Sequence, residues 1–269
     1  MRQPGVDPFT QRTPRVVAAR RLQRRKERDE SGLFLAEGPQ AVREAMGSLV
    51  EVFVTTDALD RHHKLISLVR ATDAPLSVIT DDGLASLAET VTPQGVVAVC
   101  RQLDVTLSEA LTRRPRLVAV LAGVKDPGNA GTVLRTADAA GADAVIFAGD
   151  TVDPYNGKCV RASAGSLFHV DVVRAPDPFA VVTKLRDAGL TVLAADGYGS
   201  NDLDTLADDG ALHSPTAWMF GSEAHGLAAD LADFADARVR VPIHGRAESL
   251  NLAAAAAVCL YASARAQRP

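Results

Sequence analysis

The eight residues Leu117–Val124, LVAVLAGV, carry no polar side chain. A strand with one wet face alternates apolar and polar residues; an unbroken apolar run instead suits a strand buried on both faces. Such strands belong to parallel sheets covered by helices on either side. This run therefore points to a layered α/β fold and away from an open antiparallel sheet.

The rest of the C-terminal half follows the same alternation. A helix is predicted over Ala130–Ala140, a strand at Ala144–Ala148, a short helix at Gly157–Ser163 and a strand at Leu167–Val173. Then come a helix at Pro178–Asp187 and strands at Thr191–Ala195, Ala217–Phe220 and Arg238–Val241, the last two separated by an acidic helix. A very alanine-rich helix closes the chain from Asn251 to Ala266. Residues 117–269 thus read as a parallel α/β domain with helices on both faces.

A smaller α/β module precedes it over residues 31–101. It has strands at Leu33–Ala36, Glu51–Thr55, Leu76–Ile79 and Gly95–Arg101, with helices at Pro39–Met46, Asp57–Arg70 and Asp81–Glu89 between them. Gln102–Arg116 reads as a linker, because Arg113, Arg114, Pro115 and Arg116 break the periodicity. Residues 1–30 form a basic arm, with one arginine-rich helix expected over 14–28.

The net charge of −4 is unlike that of a nucleic-acid binder until it is mapped along the chain. Residues 1–28 hold nine basic and two acidic side chains, a balance of +7, which leaves −11 for the remainder. A basic arm on an acidic body attracts phosphate, although a solvated leader has the same composition. Arg15, Arg20, Arg24 and Arg25 are the candidate phosphate contacts there. Cys100, Cys159 and Cys259 are too widely spaced for a disulfide framework or a metal site, so no metal is expected. No apolar run is long enough for a membrane helix, and the start MRQPGVDPFTQRTPR lacks the core of a signal peptide. A cytoplasmic protein is expected.

Ligands of open α/β sheets collect at loops beyond the carboxyl ends of the strands. Three such segments stand out. KDPGNAGTVLRTADAAG places Asn129 at a helix start, where it could be an ordinary cap, with Arg135 six residues on. MFGSEAHGL puts Glu223 on a tight turn between Gly221 and Gly226, where a helix-start carboxylate is an equally open reading. VPIHGRAESLNLAAAAAVCLYASAR places Ser249 to cap the last helix.

Jointly, in order and spacing, the three resemble the motifs of the SpoU (TrmH-like) branch of the SPOUT RNA 2′-O-ribose methyltransferases. N-x-G-x-x-x-R-T-A is matched by Asn129, Gly131, Arg135, Thr136 and Ala137, and G-x-E-x-x-G-L by Gly221, Glu223, Gly226 and Leu227. The third motif is matched by Val241–Pro242–Ile243 and Ser249–Leu250–Asn251–Leu252. Val241 replaces a more usual Ile, and Ala253 stands where many members have Ser. Upstream, FLAEGPQAV is similar to a substrate-binding module related to ribosomal protein L30e, which makes Glu37, with Arg15, Arg20, Arg24 and Arg25 of the arm, a candidate RNA contact.

The resemblance implies a trefoil knot in the C-terminal domain, a homodimer, and S-adenosylmethionine held mostly by backbone. The cofactor contacts would be Ala195, Asp196, Gly197, Phe220, Gly221, Ser222, Val241, Ile243 and Leu250. Asn129, Arg135, Glu223, Ser249 and Asn251 would form the catalytic group acting on a ribose 2′-hydroxyl, with ribosomal RNA favoured over transfer RNA by the upstream module. A guanidinium is effectively always protonated, so Arg135 is better read as an electrostatic clamp on phosphate and developing alkoxide than as a base. Two rivals remain beside a transfer-RNA enzyme of the same branch. A nicotinamide-dependent enzyme would need a G-x-G-x-x-G turn that GVKDPGNAG does not supply. A non-catalytic RNA binder would not need Arg135, Glu223 and Asn251.

Overall fold

The computed structural model describes residues 7–268. The chain divides into two compact units, one built from residues up to Gln102 together with Tyr155–Phe168, the other from Leu103–Pro154 and His169 onward.

The first unit runs α1 (Pro14–Arg21), α2 (Arg25–Ser31), β1 (Leu33–Glu37), α3 (Pro39–Glu44), β2 (Leu49–Thr55), α4 (Thr56–Arg61), α5 (His63–Arg70), β3 (Leu76–Ile79), α6 (Asp81–Ala85) and β4 (Val96–Arg101). Its sheet has the order β1-β4-β2-β3, antiparallel except for the parallel β2–β3 pair. The basic segment does not stand free of this unit. Phe9 pairs with Ile79 beside β3, and Val16, Ala19 and Leu22 of α1 pack against Phe53, Leu84, Leu87, Val97 and Val99. Met1–Val6 of the expected arm lie outside the described residues.

The single helix expected over 14–28 is two helices. Leu22 is drawn into the core, the Gln23 amide donates to the carbonyls of Ser86 and Leu87, and Arg24 turns extended. Arg28, 3% exposed, folds back to donate to the Leu22 carbonyl at 2.8 Å, satisfying an oxygen that the break exposes. The helix expected over Asp57–Arg70 also divides. His62 leaves helical angles (φ −111°, ψ 33°) and re-aims α5, burying Leu65, Ile66 and Val69. The helices expected at Pro39–Met46 and Asp81–Glu89 end early, at Glu44 and Ala85.

The second unit begins inside the expected linker, which contains α7 (Leu107–Thr112). Thr106 and Glu109 form a complete capping box, and Leu107 and Ala110 join the unit's core. Then follow β5 (Leu117–Ala122), α8 (Pro127–Ala140) and β6 (Ala144–Ala148). The chain next supplies α9 (Gly157–Ala162) to the first unit. Tyr155 and Phe168, at the two ends of that excursion, both pack on Phe34, with ring centroids 4.7 and 6.0 Å away. The strand expected at Leu167–Val173 is instead a 3-10 turn at Ser166–Phe168 followed by β7 (Asp171–Ala175), because Ala164 and Gly165 both take positive φ.

The remainder is α10 (Pro178–Asp187), β8 (Thr191–Ala195), β9 (Asn201–Asp202), α11 (Leu203–Asp208), β10 (Thr216–Phe220), α12 (Ala229–Asp233), β11 (Ala237–Arg240) and α13 (Leu252–Gln267). The sheet order is β7-β6-β5-β10-β8-β11-β9, every pair parallel. Residues Leu117–Ala122 are all buried, as two-faced burial requires. The fold is thus mixed α/β: a parallel sheet preceded by a smaller sheet. The carboxyl ends of the neighbouring strands β5, β10, β8 and β11 bring their following loops to one edge, and the site lies there.

Candidate active site

At the head of α8 the cap is Asp126, whose carboxylate accepts from Asn129 N at 2.8 Å, with Pro127 at the first helical position. Asn129, expected as a possible cap, is therefore in the first turn with its side chain released for other partners. Among the described residues it makes two side-chain bonds, and each reaches a different segment of the chain.

The first partner is Glu223. β10 ends at Phe220, and the Ser222–Gly226 turn is closed by reciprocal backbone bonds of 2.9 Å. Gly221 is obligatory because a Cβ there would overlap the backbone of Gly226 and Leu227. The turn aims the Glu223 carboxylate at the start of α8, where Oε1 accepts from Asn129 Nδ2 (3.0 Å) and Asp126 N (3.2 Å), and Oε2 from Lys125 N (3.3 Å). Desolvation pushes this carboxyl up, but the donors from Asn129, Lys125 and Asp126 outweigh it and hold the pKa below its ordinary 4.5.

The second partner is Asn251. Its Nδ2 donates to Asn129 Oδ1 at 3.2 Å, and its Oδ1 caps α13 by accepting from Ala253 N (2.9 Å) and Ala254 N (3.4 Å). One relay therefore joins the three motif segments: carboxylate, amide, amide, helix N-terminus.

Two other expected members lie outside the relay. Ser249 does not cap α13; it is exposed on the irregular 241–251 loop, and Asn251 has the capping role. Arg135 is exposed on α8, six residues or ~9 Å of helix rise beyond Asn129. Among the described residues no carboxylate pairs with it, so its charge is available to a ligand. Lys125, by contrast, is engaged by Asp150 at 2.6 Å.

The residues expected to hold the cofactor line the same edge. Phe220 and Gly221 are buried at the end of β10, and the Ser222 hydroxyl accepts from His225 N. Ala195 ends β8. Asp196 is not free: Arg238 grips its carboxylate at 2.6 Å, and Tyr198 N donates to it at 3.0 Å, so it shapes the loop in which Gly197 is exposed. Val241 is half-buried, whereas Ile243 and Leu250 are large apolar residues 37% and 38% exposed. Among the described residues, the backbone N–H groups of Ile243–Leu250 make no backbone hydrogen bond. Apolar side chains beside unused amides fit an adenosine, whose faces are apolar and whose rim is polar.

In the first unit the RNA-contact candidates separate by their partners. Arg15 is tied to Glu51 at 2.7 Å and lies over Phe9, and Arg25 is paired with Asp29 at 3.5 Å. Arg20 and Arg24 have no ion pair among the described residues. Glu37 faces inward with its side chain 9% exposed. Its carboxylate accepts from Thr90 Oγ1, Glu89 N and Arg161 Nη1, so it is engaged within its own unit. Sequence reasoning passed over Asp126 and Arg161. The D-P-G-N order signals the first, an acidic cap before proline, whereas nothing local signals the second. Among the described residues no cluster of His, Cys, Asp and Glu could hold a metal ion, and no helix is long and apolar enough to cross a membrane.

Residues 116–261 match the SpoU rRNA methylase family, and residues 13–98 an MRM3-like substrate-binding domain. The chain is 36% identical over 248 residues to the 23S rRNA (guanosine(2553)-2′-O)-methyltransferase of Bacillus subtilis, covering 90% of this chain and 92% of that one. It is 32% identical over 250 residues to the 23S rRNA (uridine(2479)-2′-O)-methyltransferase of Streptomyces viridochromogenes, covering 91% and 86%. The AdoMet-bound rRNA methyltransferase of Sinorhizobium meliloti superposes with a TM-score of 0.82 at 32% identity, covering 94% and 95%. The chain belongs to the SpoU rRNA methylase family.

Proposed function

We propose that the protein methylates a ribose 2′-hydroxyl of RNA with S-adenosylmethionine as methyl donor, and that its acceptor is 23S ribosomal RNA. The observation that carries this reading is the Glu223–Asn129–Asn251 relay, which draws three segments far apart in sequence to one edge of the sheet. The names of the relatives and the substrate-binding domain matched by residues 13–98 support the RNA class.

S-adenosylmethionine supplies an electrophilic sulfonium methyl. The remaining task is to hold a hydroxyl in line with it and to stabilise the charge that develops as the proton leaves. Arg135, permanently charged and without a carboxylate partner among the described residues, is assigned to the phosphate beside the target ribose and to the developing alkoxide. Glu223 is a poor proton acceptor, because its pKa is held down and three donors occupy it. Its role is to orient Asn129 and, through it, Asn251. Ser249, exposed beside Leu250, is assigned to the ribose. The cofactor is assigned to Ala195–Gly197, Phe220–Ser222, Val241, Ile243 and Leu250, within the trefoil knot the family implies.

A homodimer is part of the reading, and so is a cytoplasmic location, where ribosomal RNA is. α13 buries Ala253, Ala256, Cys259, Leu260, Ser263 and Ala264 and leaves a stripe of Ala254, Val258, Tyr261 and Arg265 exposed. Val258 and Tyr261 are 42% and 51% exposed, suiting close packing against a second copy. Arg20 and Arg24 are assigned to RNA phosphate, while Arg15 and Arg25 act through their ion pairs.

Transfer of labelled methyl from S-adenosylmethionine to 23S rRNA and transfer-RNA transcripts, offered side by side, tests the acceptor. Label in the ribosomal transcript is expected. Label confined to transfer RNA would replace the acceptor but keep the chemistry.

A further inference from the structure

The β8–β9 loop carries an aromatic residue to which the relay and the cofactor contacts give no task. Tyr198 is 94% exposed, at the carboxyl-end edge of the sheet. Its strand, β8, lies between β10, which leads to the Glu223 turn, and β11, which leads to the 241–251 loop. The side chain is bare, yet the backbone beneath it is held from several directions. Asp196, gripped by Arg238, accepts from Tyr198 N at 3.0 Å, and Gly199 N closes the turn onto Asp196 O at 2.9 Å. Arg240 Nη1 donates to Gly199 O at 3.0 Å, and Asn201 Nδ2 to Arg238 O at 3.1 Å. Gly199 is so close to the Arg238 backbone that a Cβ would stand 2.7 Å from it. The result is an uncovered ring on a stiff mount.

A solvated tyrosine on a mobile loop would contribute little, because ordering it on binding would cost entropy. Here the backbone is already ordered, so a flat partner gains the stacking at small cost. Two side chains of the neighbouring loop, Ile243 and Leu250, offer apolar area to the cofactor; Tyr198 is a further exposed ring at this edge, on a loop whose Gly199 backs onto Arg238 of β11. The acceptor hydroxyl must approach this same edge, and selecting one ribose by sequence favours unpaired nucleotides, because only loops, bulges and ends offer bases that can be splayed out and read. Unstacked bases of RNA are captured on exposed aromatic rings.

We propose that Tyr198 is a stacking platform for a nucleobase of the substrate RNA next to the target nucleotide, and so a positioning residue. The proposal rests on the methyltransferase reading above. Stacking is a property of the ring, not of the hydroxyl, so Tyr198→Phe should keep it and Tyr198→Ala lose it.

The test measures steady-state methylation of a 23S rRNA fragment by the full chain, with S-adenosylmethionine affinity from calorimetry and mass from light scattering. For Tyr198→Ala the KM for RNA is expected to rise about tenfold with kcat largely retained and cofactor affinity unchanged, and Tyr198→Phe to restore the wild-type KM. An unchanged KM in the alanine variant would overturn the proposal. So would weakened cofactor binding, which would make the ring a cover for the cofactor, or a loss of dimer mass, which would place it in a subunit interface. A wild-type protein that binds the cofactor but methylates no RNA would remove the underlying reading and this proposal with it.

Discussion

The Glu223 carboxylate fixes the orientation of the Asn129 amide, which donates to it at 3.0 Å. A carboxylate can only accept, so Asn129 must present its NH2 to Glu223 and its carbonyl to Asn251. Asn251 must then donate with its own NH2, which turns its oxygen towards the first amides of α13. One charge thus sets two amides and a helix cap.

Acid should release this arrangement. The folded pKa of Glu223 lies below its ordinary 4.5, so its contribution is complete above that value and is lost as pH falls through the folded pKa. Glu223→Gln should remove this acid-side dependence and lower turnover at neutral pH by about tenfold, as expected for losing a hydrogen bond to a charged group. A pH series of unfolding midpoints and initial rates for both proteins checks it.

Asn251 has two separable duties. Asn251→Ala removes the cap of the sixteen-residue α13 and should cost about 1 kcal/mol, seen as a Tm lower by about 2–4 °C. Asn251→Asp keeps the cap but cannot donate to Asn129, so it should recover the Tm without recovering turnover. Calorimetric scans paired with rates distinguish the two.

Gly221→Ala should be severe. Its Cβ would overlap the Gly226 and Leu227 backbone, so the turn that carries Glu223 must open. Loss of S-adenosylmethionine binding by calorimetry, or failure to give soluble protein, is the expected outcome.

Arg161→Ala should destabilise the first unit while sparing the cofactor site. Arg161 lies 3.3 Å from Glu37 and 3.0 Å from Glu89, and its removal leaves the largely buried Glu37 carboxylate without its cation. A cost of about 2 kcal/mol is expected, with S-adenosylmethionine affinity unchanged. Denaturant unfolding and calorimetry measure the two quantities.

Periodicity made the parallel sheet legible, because β5, β6, β8 and β10 are apolar on both faces and lie between clear helices. The motif spacing made the site legible, since Asn129, Glu223 and Asn251 do meet. Boundaries were harder where neighbours compete. Asp126 displaces Asn129 from the cap because proline follows it, and Asn251 displaces Ser249 two residues upstream. The T-L-S-E capping box of α7 was present in the sequence but overshadowed by the arginines and proline after it. Other features have no local signal at all. The α1–α2 break depends on Leu22 finding a core and Arg28 finding its carbonyl, and the 155–168 excursion depends on Phe34, more than a hundred residues earlier.

Ribose methylation that depends on Arg135 can be read from the product by incubating the protein and Arg135→Ala with labelled S-adenosylmethionine and 23S rRNA, then digesting the RNA to nucleosides. Label is expected in a 2′-O-methylnucleoside for the wild type, and none for a variant whose cofactor affinity is intact. Label on a base, or an Arg135→Ala protein that still methylates ribose, would contradict it.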